Sequence, residues 1–308
     1  MTLLAGYAPD HSSVGTIHLA TLLARSSGEP LIVCSVIPSP PQPGMMRVDA
    51  EYHQQLRAEA EEALAKARAE VPADIDAQYV IHEANSTAGG LLDLVHERDA
   101  KMIILDSSTA GVFGHVALGS VTSRLLHSSD VPVALAPRGF RVKKNEVVRR
   151  VTAAYSGTPD QDELVLAAAT VAARVSAGLR LAAFAVRSSA QYTTTLGTEG
   201  DNQVVMEWAE VVERETNAAF ERVRALPETP DSMEAVVGHG RNWDEALEDI
   251  DWDRGDVLTV GSSQAGPIAR VFLGSRAAKI VRYSPVPVVV VPRSASTRIV
   301  DQAEADAK

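Results

Sequence analysis

One stretch of sequence occurs twice in this chain of 308 residues, and that repetition limits the folds the chain can adopt. The first copy, 116–138, contains Leu118-Gly119-Ser120, and the second, 271–293, contains Leu273-Gly274-Ser275. A constant offset of 155 positions relates the copies without a gap, and both end in Pro, four apolar residues, Pro and Arg. A period of half the chain indicates two similar domains in tandem.

Each copy is typical of a glycine-serine turn that opens a short helix and leads into an apolar strand. We expect Ser275 to cap its helix by accepting a hydrogen bond from a backbone N–H of the first turn, and Gly274 to let the backbone bend there. Free N–H groups and the positive end of a helix dipole together favour an anion such as phosphate. The valines at 288–291 do not alternate with polar residues, which predicts a strand buried on both faces of a parallel sheet.

The remainder of each half alternates between apolar runs and helical patterns. Five strand–helix alternations per half predict an α/β fold, with a parallel sheet covered by helices on both faces. We place the first domain at 1–140 and the second at 151–294, joined by a basic linker at 141–150 and followed by an acidic tail at 295–308. We interpret 238–240 as a loop, and we expect 301–308 to be disordered.

Composition excludes several classes of function. A formal net charge of −11 and a pI near 5.2 argue against a nucleic-acid partner, because phosphate backbones require a basic surface. No apolar run approaches the ~18 residues of a membrane span, and the N-terminus lacks the pattern of a signal peptide. Cys34 lies in an apolar run and is expected to be a buried strand residue, and the histidines lack metal-ligand spacing. We therefore expect a cytoplasmic protein without a metal.

The repeated ending and the surrounding pattern resemble the universal stress protein family, and the whole chain resembles a tandem member. That resemblance implies a Rossmann-like sheet in each half, with strand order 3-2-1-4-5. It also implies ATP as a possible ligand, because ATP-binding members carry a loop of the form Gly-x2-Gly-x9-Gly-Ser after strand four. Those members place an aspartate just after strand one, near the adenine and ribose.

The two halves match this nucleotide loop to different extents. The second half reads Gly261-x2-Gln264-x9-Gly274-Ser275, so a glutamine stands where the second glycine belongs. The first half reads Asp106-x2-Thr109-x9-Gly119-Ser120, and only its last pair survives.

The differences from this nucleotide loop are expected to weaken nucleotide binding most in the first half. A side chain in place of glycine obstructs the approach of phosphate to backbone N–H groups, and the Asp106 carboxylate would repel phosphate. The aspartate after strand one is absent from both halves, where Ala8 and Ser156 stand instead. We therefore predict that nucleotide binding is asymmetric and favours the second half.

The resemblance then gives a set of candidate nucleotide-binding residues. In the second half they are Ala154, Tyr155, Ser156, Ala185, Val260, Gly261, Gln264, Gly274, Ser275 and Arg276, and in the first half Gly119 and Ser120.

Three interpretations of function stay open at this point. The first is a nucleotide-binding regulator of stress responses. The second is an interaction scaffold whose sites have degenerated. The third is an ATP-cleaving enzyme, because Ser156-Gly157-Thr158-Pro159-Asp160 is similar to the pyrophosphate-cleaving loop of enzymes with a related fold. No base or metal-ligand set accompanies that loop, so no catalytic residue is assigned and at most slow ATP hydrolysis is expected.

The repeat also predicts how the chain could assemble. We expect an intramolecular pseudo-dimer around an approximate twofold axis, with the fifth strands at 131–136 and 286–291 close to that axis, because apolar edge strands invite pairing. A homodimer of the whole chain is a further possibility.

Overall fold

A computed structural model describes residues 2–8, 14–39, 47–108, 112–158, 161–186, 198–264 and 271–306. The strands within these ranges are β1 (Thr2–Gly6), β2 (Leu31–Pro38), β3 (Ala77–Ala84), β4 (Ala100–Asp106), β5 (Val133–Ala136), β6 (Arg150–Ala154), β7 (Gly178–Val186), β8 (Met233–Gly240), β9 (Asp256–Gly261), β10 (Ser263–Gln264), β11 (Val271–Phe272) and β12 (Val288–Val291). The helices are α1 (Val14–Ser27), α2 (Arg47–Glu70), α3 (Thr87–Glu97), α4 (Ser120–Ser128), α5 (Asp162–Arg174), α6 (Thr198–Arg224), α7 (Trp243–Glu248), α8 (Ser275–Tyr283) and α9 (Arg293–Asp306).

The chain divides into two compact units. The first unit contains Met1–Val147 together with Gln264–Phe272 and Pro287–Val290. The second unit contains Val148–Ser263, Leu273–Val286 and Val291–Lys308. Two short segments from the second half of the sequence, 264–272 and 287–290, thus belong to the first unit, and the second of them contains most of β12.

The first unit contains a parallel sheet in the order β3-β2-β1-β4-β5. Leu3 pairs in register with Leu31, and Ile103 with Val133. All four of these side chains are buried, because helices cover both faces of a parallel sheet and leave little of its strands exposed. The order is the predicted 3-2-1-4-5, and the predicted fold class is confirmed.

The second unit repeats this arrangement with β8-β7-β6-β9, which corresponds to strands 3-2-1-4. Thr152 on the central strand β6 pairs with Arg180 on one side and with Leu258 on the other. The carboxyl ends of these parallel strands therefore meet at one edge of the sheet, where α/β proteins of this type bind ligands.

The apolar strand β12 pairs antiparallel with β5 inside the first unit. Val289 lies opposite Ala134, and Val288 lies opposite Leu135. All four valines of β12 are buried, as their unbroken apolar run predicted. The expected proximity of the two fifth strands is confirmed by this pairing, whereas the approximate twofold axis stays a prediction.

The structure corrects three expectations about local conformation. The segment expected to be disordered is helical as far as Asp306, since α9 packs against α5 and buries Ala295. Residues 238–240, interpreted as a loop, are the end of β8, which pairs with β7 up to Gly240. Arg150, the last residue of the predicted linker, is the first residue of β6.

Candidate functional site

A cavity of about 610 Å³ lies in the second unit. Its size is within the range of small-molecule sites, roughly 300–1,000 Å³. Seven of the residues selected from the sequence line it: Ala154, Tyr155, Ser156, Ala185, Val260, Gly261 and Arg276. The other lining residues are Gln161, Phe184, Val186, His239, Gly240, Arg241, Trp243, Glu245, Ala277 and Ile280.

The strand order explains why the cavity forms where it does. Strands β7 and β8 lie on one side of β6, and β9 lies on its other side. The connections that follow the neighbouring strands β6 and β9 therefore run in opposite directions. The crevice at such a switch point is the usual ligand position in doubly wound α/β folds. Val260 and Gly261 at the end of β9 face this crevice together with Ala154 at the end of β6.

Aromatic side chains form one wall of the cavity. The rings of Phe184 and Trp243 have their centroids 6.2 Å apart and are tilted by 48°. Tyr155 is buried, and its hydroxyl donates to the backbone carbonyl of Glu215 at 3.4 Å. Burial raises the pKa of the Tyr155 hydroxyl above its ordinary value, so it remains protonated at neutral pH. The wall can accept a flat apolar group by stacking.

A polar side lies next to the aromatic wall. The Gln161 side-chain oxygen accepts the backbone N–H of Ser156 at 2.7 Å and its hydroxyl at 3.1 Å. These bonds tie Ser156, which follows the end of β6, to Gln161 at the start of α5. Ser156 lies just after the end of β6 and offers a ligand a neutral hydroxyl rather than a carboxylate.

Paired charges lie along β8 and α7. Arg241 and Glu245 form an ion pair with an N–O distance of 2.8 Å, and the hydrogen bonds from Arg241 lower the pKa of the Glu245 carboxyl. His239 Nδ1 lies 3.5 Å from a carboxylate oxygen of Asp249. Because the Arg241 and His239 side chains are 83% and 60% exposed, these groups are accessible to a ligand from solvent.

Helix α8 begins beside the cavity, but its first turn differs from the prediction. Gly274 is the N-cap residue and has no side chain that could accept a capping hydrogen bond, and Ser275 is already the first helical residue, so the expected Ser275 cap is wrong. Gly274 has φ −58°, which any residue can adopt, and a β-carbon there would meet no described atom within 4 Å. Neither backbone conformation nor crowding among the described residues requires this glycine. Within the described part of the chain, the space beside Gly274 at this helix start is free, as an anion site requires.

Gln264 lies in the short strand β10, and its side chain is outside the described part of the structure. Arg276, the second residue of α8, is exposed and lines the cavity.

The first unit has a helix start of the same kind. Gly119 is the N-cap of α4 without a side-chain cap, and Ser120 is the first helical residue. The residue that ends β4, however, is Asp106, where β9 ends with Gly261. Thr109 lies outside the described residues.

Sequence reasoning did not select the ten other lining residues, and three of them, Gln161, Phe184 and Trp243, have the contacts described above. Phe184 could have been found from its position near the end of a strand, beside the selected Ala185. Trp243 directly follows the N-cap Asn242, and its sequence signal was only that of a helix start. Gln161 carried no signal, because its role depends on a bond to the backbone of Ser156.

Other kinds of site receive no support from the described residues. They contain no cluster of three or more His, Cys, Asp or Glu side chains placed to hold a metal ion. None of their helices has both the length and the apolar character needed to cross a bilayer. Cys34 is buried, and burial raises the pKa of its thiol to about 12, so the thiolate is not available.

The chain belongs to the universal stress protein family, whose sequence profile matches residues 1–137 and 148–292. Universal stress proteins of Mycobacterium tuberculosis and Mycobacterium bovis are 34% identical over 296 residues, which is 95% of this chain and 100% of theirs. The predicted resemblance to a tandem member is confirmed.

Solved structures support the same fold. A universal stress protein of Archaeoglobus fulgidus is 20% identical with a TM-score of 0.59, and the match covers 94% of this chain and 98% of that one. A protein of Pseudomonas aeruginosa described as a putative universal stress protein is 12% identical with a TM-score of 0.56, covering 98% and 97%.

Proposed function

We propose that this protein is a stress-response regulator that binds a nucleotide, ATP or a close relative, in its second unit. The observation that carries the proposal is the cavity at the ends of β6, β7, β8 and β9, which seven of the independently selected residues line. Family membership supports the stress-response role. The ligand is inferred from the partial nucleotide loop and from the chemistry of the cavity.

The residues around the cavity fit the parts of a nucleotide. Phe184 and Trp243 offer aromatic faces on which a base can stack. The Ser156 hydroxyl can bond a ribose hydroxyl. The open N-terminus of α8, with Arg276, suits the phosphates. Gly261 leaves the space beside the end of β9 free of a side chain.

We expect binding with little or no turnover. Phosphoryl transfer needs positioned positive charge, usually Mg²⁺ with Lys or Arg, and a group that orients the attacking water. The sequence 261–275 contains no Asp or Glu to hold a metal. Gln264 is the one residue of that loop suited to orienting water. A steady-state phosphate-release assay tests this expectation: many turnovers per minute that disappear in Gln264→Ala would make the protein an ATPase.

The test of the proposed function is a calorimetric titration of the full chain with ATP, ADP and cyclic AMP. One equivalent of saturable binding is expected. The variant that tests the position of the site is Gly274→Leu, because its side chain obstructs the start of α8 and should weaken nucleotide binding. A folded full chain that takes up none of these nucleotides would favour the interaction scaffold, the alternative that the degenerate loop of the first unit supports.

A further inference from the structure

The last residue of the fourth strand differs between the two units. Asp106 ends β4, whereas Gly261 ends β9 at the corresponding position, 155 residues later. Gly261 lines the cavity of the second unit. The first unit therefore carries a carboxylate where the second has only a hydrogen atom.

The Asp106 carboxylate is bonded to the start of helix α1. It accepts the backbone N–H of Ser107 at 2.8 Å and also bonds the backbone of Gly15, the second residue of α1. The first N–H groups of a helix have no acceptor within the helix, and they carry the positive end of its dipole. The carboxylate is thus an anion supplied by the protein itself.

Gly15 makes this contact possible. A β-carbon at Gly15 would lie 2.6 Å from one carboxylate oxygen of Asp106 and 2.7 Å from the other, so any other residue would push the carboxylate away. The second residue of α5 in the second unit is Glu163, whose carboxylate instead accepts from Arg293 at 3.1 Å. The first unit thus combines Gly15 with Asp106, and the second combines Glu163 with Gly261.

We propose that Asp106 is the resident anion of the first unit, closing it to phosphate-bearing ligands, and that Gly261 is what leaves the second unit open. The contact acts in two ways: it occupies the backbone N–H donors of Ser107 and Gly15 at this end of the sheet, and its charge repels a second anion. The part that concerns the second unit rests on the proposed function.

The first test removes the carboxylate from the full chain. Asp106→Asn keeps the shape and an acceptor oxygen but removes the charge, and Asp106→Gly removes the whole side chain. Calorimetry with ATP should show one more equivalent bound to Asp106→Gly than to the parent protein, and Gly119→Leu in the same chain should remove that equivalent. Folded variants with the stoichiometry of the parent would overturn the proposal, and Asp106→Asn decides the case if Asp106→Gly does not fold.

The second test makes the reciprocal change. A β-carbon at Gly261 would lie 3.4 Å from Leu164 Cδ2, an ordinary contact, so Gly261→Asp and its control Gly261→Ala should both fold. The aspartate variant should bind ATP about 100-fold more weakly than the alanine variant, because like charges repel in a partly desolvated site. Equal affinities of these two variants would overturn the proposal.

The two tests separate the inference from the proposed function. A parent protein that binds no ATP contradicts the proposed function and the part of the inference about Gly261 that rests on it. One equivalent gained by Asp106→Gly would then still support the resident anion, and no gain would contradict it.

Discussion

The two units share a sheet order and differ in the residues that surround the end of the central strand. In the first unit, Val36 and Thr87 stand where the second has Phe184 and Trp243, counted from paired strands and helix starts. In the first unit the Asp106 carboxylate also lies against the first turn of α1. Gene duplication gives two copies of a fold, and a few side chains at one edge of each sheet are enough to separate their chemistry.

The opposite edge of the sheet differs as well. In the second unit the buried Asp256 accepts two hydrogen bonds from Arg150, at 2.6 and 3.0 Å, and lies 3.9 Å from the buried Arg180. Arg180 in turn donates to Glu234 at 2.7 Å. The position of Asp256 is occupied by Lys101 in the first unit, where it pairs with the exposed Asp99.

The largest expected effect tests this difference in buried charge. Asp256→Ala removes the buried carboxylate that accepts two hydrogen bonds from Arg150 and lies beside the buried Arg180, so Glu234 is left to balance both guanidinium groups. The change should lower the free energy of unfolding by about 3 kcal/mol. Lys101→Ala, the matched change in the first unit, should have little effect because its partner is in solvent. Denaturant unfolding of both variants measures the contrast. Similar losses in the two variants would show that burial of the network is not what distinguishes the units.

The next effect concerns the helix starts. Gly274→Leu together with Ser275→Leu should weaken ATP binding by about 2 kcal/mol, the upper range for an anion at a helix N-terminus. The same changes at Gly119 and Ser120 should matter less, because Asp106 closes that unit. Calorimetry on both variants checks the asymmetry. Equal losses would mean that the first unit contributes to binding despite its carboxylate.

A smaller effect tests the aromatic wall. Trp243→Ala should weaken ATP binding by about 1 kcal/mol, the lower end for base stacking on an aromatic ring. Binding of inorganic triphosphate should not change, since it has no base to stack. Thr87→Ala in the first unit is the control. If triphosphate binding weakens as much as ATP binding, Trp243 supports the fold of the cavity rather than the base.

The smallest effect is a pH dependence of stability. Burial raises the pKa of the Asp106 carboxyl above its unfolded value, against the lowering effect of the N–H donors and of Arg141. The folded state then holds the proton more tightly, so the contribution of Asp106 to stability is present below the unfolded pKa and is lost as pH rises through the folded pKa.

Melting temperatures of the parent protein and Asp106→Asn at several pH values above 4 measure this dependence. The parent should lose stability relative to the variant as pH increases through that window. A difference that stays constant with pH would show that the N–H donors cancel the effect of burial, and one that moves in the other direction would show that they outweigh it.

Much of the fold could be predicted from the residues in order. The repeated Gly-Ser turn and the apolar ending gave the number of domains, the class of fold and, through its resemblance, the family. The run of four valines in β12 predicted a strand buried on both faces. Local sequence pattern is less informative where strand pairing decides how far a strand extends. It predicts a loop at 238–240, although β8 pairs with β7 as far as Gly240.

The candidate site was only partly readable. The strand-end residues Ala154, Ala185, Val260 and Gly261 could be selected, because parallel strands bring their carboxyl ends together. The pairing of Phe184 with Trp243 could not be predicted, since 59 positions separate them and only the packing of α7 against β7 brings their ring centroids to 6.2 Å. The absence of a Ser275 cap likewise depends on backbone geometry that composition does not encode.

The sequence by itself determined the repeat, the apolar strands and the residue types at the strand ends, because these follow from local pattern and from the period of the chain. The tertiary structure decided which side chains meet. Asp106 and Gly15 are 91 positions apart, and nothing in either residue predicts that a carboxylate ends against the first turn of α1. Such a contact depends on the position of one strand beside one helix, and that position is set by the packing of the whole unit.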